Sequence, residues 1–239
     1  MQRVVAVILL AGQGTRMGAG RNKIFLELAG RPAVLWAIEA FERASVVDDI
    51  LLVAHPDEVE RVRALTAEYA RVVGVVAGGA TRSQSEMCAL NALRARIVAG
   101  EVEMVMIHDG ARPLVTPDEI ARLAQAVRDL PQPGGALLTA SVARDEEIGE
   151  IGPDGTLART FVAAELARAQ TPQAFHAALL LDAYDRGAAD GFEGTDTAST
   201  VERVGAPVVI VAGSDENLKL TAPDDLARAE AIIQARSHT

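Results

Sequence analysis

Val4-Val5-Ala6-Val7-Ile8-Leu9-Leu10-Ala11-Gly12-Gln13-Gly14-Thr15-Arg16-Met17-Gly18, running on to Lys23, is an apolar run that opens directly into a glycine-rich turn salted with cations. An uninterrupted apolar run bounded by a turn reads as a strand buried on both faces, as in parallel sheets. Glycine in the turn adopts positive φ and lets backbone amides approach a ligand closely. Successive amides there make a concavity that accepts anions. Arg16 and Lys23 add full charges, so the stretch predicts a strand followed by a loop that holds a polyphosphate. A plain structural turn is the alternative for the loop taken alone. A dinucleotide-binding turn would pair with an acidic residue at the end of the second strand, but that strand ends Val53-Ala54-His55-Pro56. The Gly-Lys-Ser/Thr ending of a P-loop is also missing. Arg3 followed by Val4 to Leu10 imitates a signal peptide, but the run is short and no small-residue cleavage site follows it.

Outward from this stretch, apolar runs alternate with amphipathic ones. Strands are expected at Val4–Leu10, Ile50–Ala54, Val72–Ala77, Met104–Ile107, Gly135–Val142 and Val208–Ala212. Helices are expected at Ala33–Ala44, Glu58–Tyr69, Ser83–Val98, Pro117–Leu130, His176–Arg186, Asp196–Val204 and Pro223–Ala235. Thr116-Pro117-Asp118-Glu119 has the form of a capping box, and Thr221-Ala222-Pro223-Asp224 resembles it more loosely. The alternation predicts an α/β fold: a Rossmann-like, mostly parallel twisted sheet with helices on both faces. Gly152-Pro153-Asp154-Gly155 marks a hairpin turn in the polar stretch from Arg144 to Arg168, which reads as a protruding arm. In such sheets ligands sit beyond the carboxyl ends of the strands, which selects the loops after Leu10, Ala77 and Ile107.

Composition narrows the partners. The chain has 239 residues, 49% of them apolar and 23% charged, an ordinary globular balance. A net charge of −10 argues against general nucleic-acid or anionic-membrane binding and requires cations to be concentrated wherever an anion is held. No run approaches the length of a membrane span. The single cysteine, Cys88, reads as a small apolar helix residue and points to a reducing, cytoplasmic compartment. Lys23 and Lys219 are the two lysines among 23 basic residues, and both fall in motifs.

Those motifs continue downstream. Gly78-Gly79-Ala80-Thr81-Arg82-Ser83-Gln84-Ser85 opens a helix whose N-terminal amides attract an anion or a base edge. His108-Asp109-Gly110-Ala111-Arg112-Pro113 puts a carboxylate at a strand end, where it can hold Mg²⁺. His108 reads as a hydrogen-bonded structural residue. The scattered histidines and single cysteine leave no zinc pattern, and there is no Gly-x-Ser-x-Gly elbow. Each of these segments also reads as an ordinary cap or turn when taken alone.

As a set they resemble the cytidylyltransferases of the non-mevalonate isoprenoid pathway, which join CTP to 2-C-methyl-D-erythritol 4-phosphate. The resemblance runs in order along nearly the whole chain. It covers residues 11–17 with Lys23, Gly78-Gly79 with Arg82 and Ser85, and His108-Asp109-x-Ala111-Arg112-Pro113. It continues through Ala169-Gln170-Thr171-Pro172-Gln173-Ala174-Phe175, Thr195-Asp196 with Ala198-Ser199 and Glu202, and Asn217-x-Lys219-x-Thr221 with Pro223 and Asp225-Leu226. It implies one nucleotidyltransferase domain over residues 1–239, with Arg16 and Lys23 gripping the triphosphate. Leu10, Ala11, Gly12, Gly14, Thr15, Gly79, Ala80, Arg82 and Ser85 would form the nucleotide site. Asp109 would hold Mg²⁺, and Asp109, Arg112, Thr171, Thr195 and Lys219 would face the acceptor. It also implies a homodimer whose arm, about residues 141–168, reaches into the partner's site.

The chain departs from the family pattern where the arm should supply an Asp-Arg pair: it has Val162-Ala163. Arg159 and Arg168 are the candidate substitutes for that acceptor-phosphate arginine. Glu146-Glu147-Ile148 stands for the usual Thr-x-Lys after Asp145, Asn22 for the proline before Lys23, and Ala80 for a frequent Asp. The altered arm keeps a pentitol phosphate such as ribitol 5-phosphate open as the acceptor. A catalytically weak nucleotide-binding regulatory protein is the alternative of a different class.

Overall fold

A computed structural model describes residues 2–12, 23–142, 148–163 and 166–237, with the Lys23 side chain excepted; counts and absences below concern these described residues. The strands are β1 (Arg3–Leu9), a short hairpin of β2 (Glu27–Leu28) and β3 (Arg31–Pro32), β4 (Asp49–Ala54), β5 (Val72–Ala77), β6 (Val102–Asp109), β7 (Gly135–Ser141), β8 (Ile148–Ile151), β9 (Leu157–Phe161), β10 (Ala167–His176) and β11 (Val208–Ala212). The helices are α1 (Ala33–Arg43), α2 (Val59–Leu65), α3 (Arg82–Val98), α4 (Pro117–Arg128), α5 (Ala177–Ala189), α6 (Thr197–Glu202) and α7 (Pro223–Ser237).

Seven strands form one sheet in the order β11-β7-β10-β6-β1-β4-β5. All neighbours are parallel except β10, which runs antiparallel between β6 and β7. The strand period explains the layering. Val4, Ala6 and Ile8 of β1 pack with α1 and α4 on one face, while Val5 and Val7 pack with α3 and α5 on the other. Burying both faces is what makes β1 read as a continuous apolar run. α7 closes a smaller cluster with Leu114, Leu218 and Leu220. None of the helices is long and apolar enough to cross a membrane.

The capping box at Thr116 forms as expected, with its hydroxyl accepting from Glu119 N at 3.2 Å and Glu119 Oε2 accepting from Thr116 N at 2.9 Å. The looser box before α7 closes through Asp225 instead of Asp224, whose carboxylate accepts from the backbone N–H groups of Thr221 and Ala222, each at 2.8 Å. α2 is shorter than expected, because the chain turns at Thr66, whose hydroxyl bonds back to Val62 O at 2.8 Å. The largest correction is β10. The sequence reading has no strand between Arg168 and His176, because proline and two glutamines interrupt the apolar pattern. Yet Gln170 through Phe175 are buried in the middle of the sheet. The pairing with β7 slips between Ala169 and Gln173, and that irregularity accommodates Pro172. The arm is a separate two-stranded sheet of β8 and β9, turning through Gly155 at φ +80°.

Candidate functional site

The carboxyl ends of β1, β5 and β6 open on a cavity of about 670 Å³. Ala11, Gly12, Gly79, Ala80, Ser85 and Arg82 line one side of it, and Asp109 and Lys219 the other. Backbone proximity shapes the first side. A Cβ on Gly78 would stand 2.8 Å from both Ala11 Cβ and Ser85 Oγ, so glycine alone lets the loop after β5 lie against the loop after β1. Thr81 caps α3, accepting from Gln84 N at 3.1 Å. Ser85 Oγ accepts from Gly79 N at 3.1 Å and Gln84 Oε1 from Ala80 N at 3.0 Å, which holds the loop in shape. Leu10 does not line the cavity; it is buried in the core, against Gly110.

Charge shapes the second side. Asp109, the last residue of β6, receives Lys219 Nζ at 2.6 Å on Oδ2 and Arg82 Nε at 3.2 Å on Oδ1. Burial opposes its ionisation, but Arg82 and Lys219 outweigh burial and hold the carboxyl far below the usual range. Lys219 reaches Asp109 because Leu220 N donates to Ala111 O at 2.8 Å and Arg112 Nη1 to Asn217 O at 2.7 Å, which dock the 217–220 segment on the loop after β6. Burial lowers the pKa of Arg112, and its guanidinium serves this docking.

Beneath lies a buried relay. His108 Nε2 meets Arg112 O at 3.0 Å, and a carbonyl only accepts, so Nε2 carries the proton. Nδ1 is then an acceptor for the Thr171 hydroxyl at 3.2 Å, and that hydroxyl accepts from Asp109 N at 3.0 Å. Burial pushes His108 down to about 4, so the ring is neutral and works as a structural link, as expected from the sequence. Gln173 holds the start of α6, donating to Asp196 Oδ2 at 2.9 Å and accepting from Ala198 N at 2.9 Å. Thr195, just before it, is exposed.

Of the residues singled out from sequence, the structure brings Ala11, Gly12, Gly79, Ala80, Arg82, Ser85, Asp109 and Lys219 into one cavity. Arg112 and Thr171 stand behind Asp109. Gly14, Thr15 and Arg16 lie outside the described residues, and Lys23 is described in its backbone alone, opening a 3₁₀ turn to Phe25. Arg168 is held by Asp215 at 2.7 Å and Ser141 O at 3.0 Å. Arg159 lies on the arm over the Phe161 ring, 4.7 Å from its centroid. Glu86 was missed. It is 1% exposed, pairs with Arg82 at 2.5 Å and accepts from Thr197 Oγ1 at 2.9 Å and from the Tyr184 hydroxyl. The signal was an acid on the apolar stripe that α3 continues through Ala89, Leu90 and Leu93.

A mostly parallel α/β sheet with a glycine-walled, cation-bearing cleft at its carboxyl edge defines a Rossmann-like protein of the nucleotidyltransferase type. The profile of the IspD family, 2-C-methyl-D-erythritol 4-phosphate cytidylyltransferase, matches residues 4–235, and the chain belongs to that family. It is 39% identical over 231 residues to the protein of that name from Symbiobacterium thermophilum, covering 97% of this chain and 93% of the relative. The same identity holds over 236 residues with the Geobacter metallireducens protein of that name, covering 98% of each. The crystal structure of 4-diphosphocytidyl-2C-methyl-D-erythritol synthase from Anaerococcus prevotii superposes with a TM-score of 0.83 at 25% identity, over 98% of this chain and 99% of that one.

Proposed function

We propose that the chain transfers the cytidylyl group of CTP to 2-C-methyl-D-erythritol 4-phosphate, giving 4-diphosphocytidyl-2-C-methyl-D-erythritol and pyrophosphate. The observation that carries this reading is the Asp109–Lys219 ion pair, reached by Arg82 from α3, beside glycine backbone in one cavity. An acceptor phosphate oxygen attacks the α-phosphorus of CTP, and the bond to the pyrophosphate oxygen breaks. A phosphate monoester needs no base to become a nucleophile, so the work is alignment and screening of anion–anion repulsion. Ala11, Gly12, Gly79 and Ser85 surround the cytosine, Gly14, Thr15, Ala80 and Arg82 complete the nucleotide site, and Arg16 and Lys23 grip the triphosphate. Lys219 and Thr195 face the acceptor, and Thr171 and Arg112 hold Asp109 and the 217–220 segment against it.

Among the described residues no three His, Cys, Asp or Glu side chains come together as a metal cage. A magnesium ion suits what is there, since it accepts one carboxylate plus phosphate oxygens and waters. Asp109 is ionised, and each of its oxygens keeps a lone pair beyond the ion pairs. When bound at Asp109, Mg²⁺ would neutralise charge on the triphosphate. Among the described residues the arm's strands β8 and β9 pair with each other alone and expose Ile151 and Leu157, which supports the reading of one nucleotidyltransferase domain that dimerises by arm exchange. The test is pyrophosphate release from CTP with a panel of acceptors. Release with methylerythritol 4-phosphate is expected; preference for ribitol 5-phosphate would reassign the acceptor. CTP binding without release for any acceptor would make the chain a regulatory binder.

A further inference from the structure

Glu86 is a carboxylate where α3 has every reason to be apolar. It shares a face with Ala89, Leu90 and Leu93, all buried against the sheet. A buried charge costs stability that a hydrophobic side chain of similar size would not, so its presence in a core stripe calls for another explanation. Its contacts supply one. Oε1 receives Arg82 Nη1 at 2.5 Å and Thr197 Oγ1 at 2.9 Å, while Oε2 receives the Tyr184 hydroxyl. Arg82 continues from there to Asp109 Oδ1 at 3.2 Å and to Thr197 Oγ1 at 3.3 Å. Thr197 is the first residue of α6, two positions after Thr195. One carboxylate thus joins the donor-side helix α3 to the acceptor-side helix α6, with a cavity-lining arginine between them.

We propose that Glu86 is a positioning residue for the transfer reaction, pinning Arg82 and Thr197 together so that Arg82 stays against Asp109 and the Thr195 turn stays at the acceptor side. This rests on the function proposed above for the cavity. A long arginine side chain carries considerable rotamer freedom, and Glu86 removes it before any substrate arrives. Glu86 also makes the arrangement sensitive to pH. The charged groups that face it are Arg82 on its own helix, Asp109 from β6 and Asp196 from the start of α6, with Tyr184 from α5. Burial pushes Glu86 up to about 7, against the pull of Arg82 and Thr197. Above that pH the anion holds Arg82 Nη1; below it a proton occupies the carboxylate and Arg82 keeps Asp109 but loses the charge that pins its other end.

The test compares wild type, Glu86→Gln and Tyr184→Phe. The first readout is the ¹⁵Nε–H signal of Arg82, which needs no turnover. Nε–H donates to Asp109, and a slowly exchanging signal is expected in wild type at pH 8 and lost in Glu86→Gln at pH 8, where Arg82 is no longer pinned against Asp109. The second readout is CTP-dependent pyrophosphate release from pH 6 to 9. Glu86→Gln is expected to lower kcat at least tenfold at pH 8 and to flatten the rise near pH 7, with no fall in Tm at pH 8. Tyr184→Phe removes one donor to the carboxylate and is expected to move that rise to higher pH, leaving the plateau kcat within twofold. An unchanged Arg82 signal in Glu86→Gln overturns the proposal, as does a kcat within twofold of wild type with the same pH profile. If Glu86→Gln does not fold, a Tyr184→Phe profile that does not move overturns it. An inactive wild type whose Arg82 signal depends on Glu86 would instead overturn the assigned reaction and leave the positioning intact.

Discussion

The two walls of the cavity are made from different material. The wall between Ala11 and Ser85 is backbone and small side chains, held at contact distance by Gly78 and bonded within itself by Ser85 and Gln84. The wall around Asp109 is assembled from β6, β10, the start of α6 and residues 214–220, and charges and amide side chains hold it. The described part of the first wall is sensitive to growth of a side chain, and the second wall to loss of a charge or a hydrogen bond. On the proposed function the first receives the nucleotide and the second the acceptor.

The largest expected effect comes from removing charge on the nucleotide side, where the cations stand on the loop that opens the sequence. Arg16→Ala and Lys23→Ala are each expected to lower kcat by about 100-fold or more, the scale of losing a preorganised charge on a reacting phosphate. Both variants are expected to unfold as wild type does. Pyrophosphate release under saturating CTP is the measurement, and near-normal rates in both variants would sink the mechanism.

Next in size is a steric comparison within the nucleotide wall itself. A methyl on Gly78 meets Ala11 and Ser85 at 2.8 Å and Val53 Cγ1 at 3.1 Å, whereas one on Gly12 meets nothing within 4 Å among the described residues. Gly78→Ala is therefore expected to cost about 1–3 kcal/mol, as overpacking does. Gly12→Ala should stay within about 0.5 kcal/mol. Urea denaturation of the two variants checks this; equal midpoints would mean that the loops after β1 and β5 do not need their close approach.

The acceptor wall is tested through the arm. Arg168 is committed to Asp215 and Ser141 O, whereas Arg159 has Phe161 beneath it on the exposed hairpin. If the arm supplies the acceptor-phosphate cation, Arg159→Ala is expected to raise the acceptor KM about tenfold, roughly 1.4 kcal/mol, with little change in the CTP KM. Arg168→Ala should leave both within about twofold. The reverse pattern would mean that Arg168 releases Asp215 to bind substrate.

The same contrast explains what the sequence revealed. The nucleotide wall was legible because contiguous residues make it: an apolar strand, then glycines, twice over. Its strand ends and caps follow from local chemistry, and the cavity falls where the parallel-sheet rule puts it. β10 was illegible because its burial comes from neighbours, β6 and β7, which arrive from elsewhere in the chain. Gln170 and Gln173 look like loop residues until the amide of Asn217 and the carboxylate of Asp196 are beside them. Glu86 was hidden for the same reason: an acid on a helix reads as solvated unless the apolar stripe beneath it is traced first.

The smallest expected effect sets the two walls against each other through pH. Glu86 sits behind Arg82, and His108 behind Asp109, each buried and each resisting charge. Burial raises Glu86 to about 7, so its contribution favours the fold in acid and is lost as pH rises through 7. Burial lowers His108 to about 4, so the unfolded chain takes up a proton near 6.5 that the fold refuses. The His108 contribution is thus present at neutral pH and lost as pH falls from 6.5 toward 4. Between pH 7 and pH 5.5 the Glu86 contribution therefore rises while the His108 contribution falls, so the two oppose each other. His108→Gln, which keeps a donor for Arg112 O and an acceptor for Thr171, should therefore gain stability on acidification over this range. Glu86→Gln should lose it, and wild type should lie between. Urea unfolding of the three proteins at both pH values decides it. Parallel changes in all three would show that neither buried group carries the shift its surroundings impose, and with it would go the claim that the two walls answer protons in opposite directions.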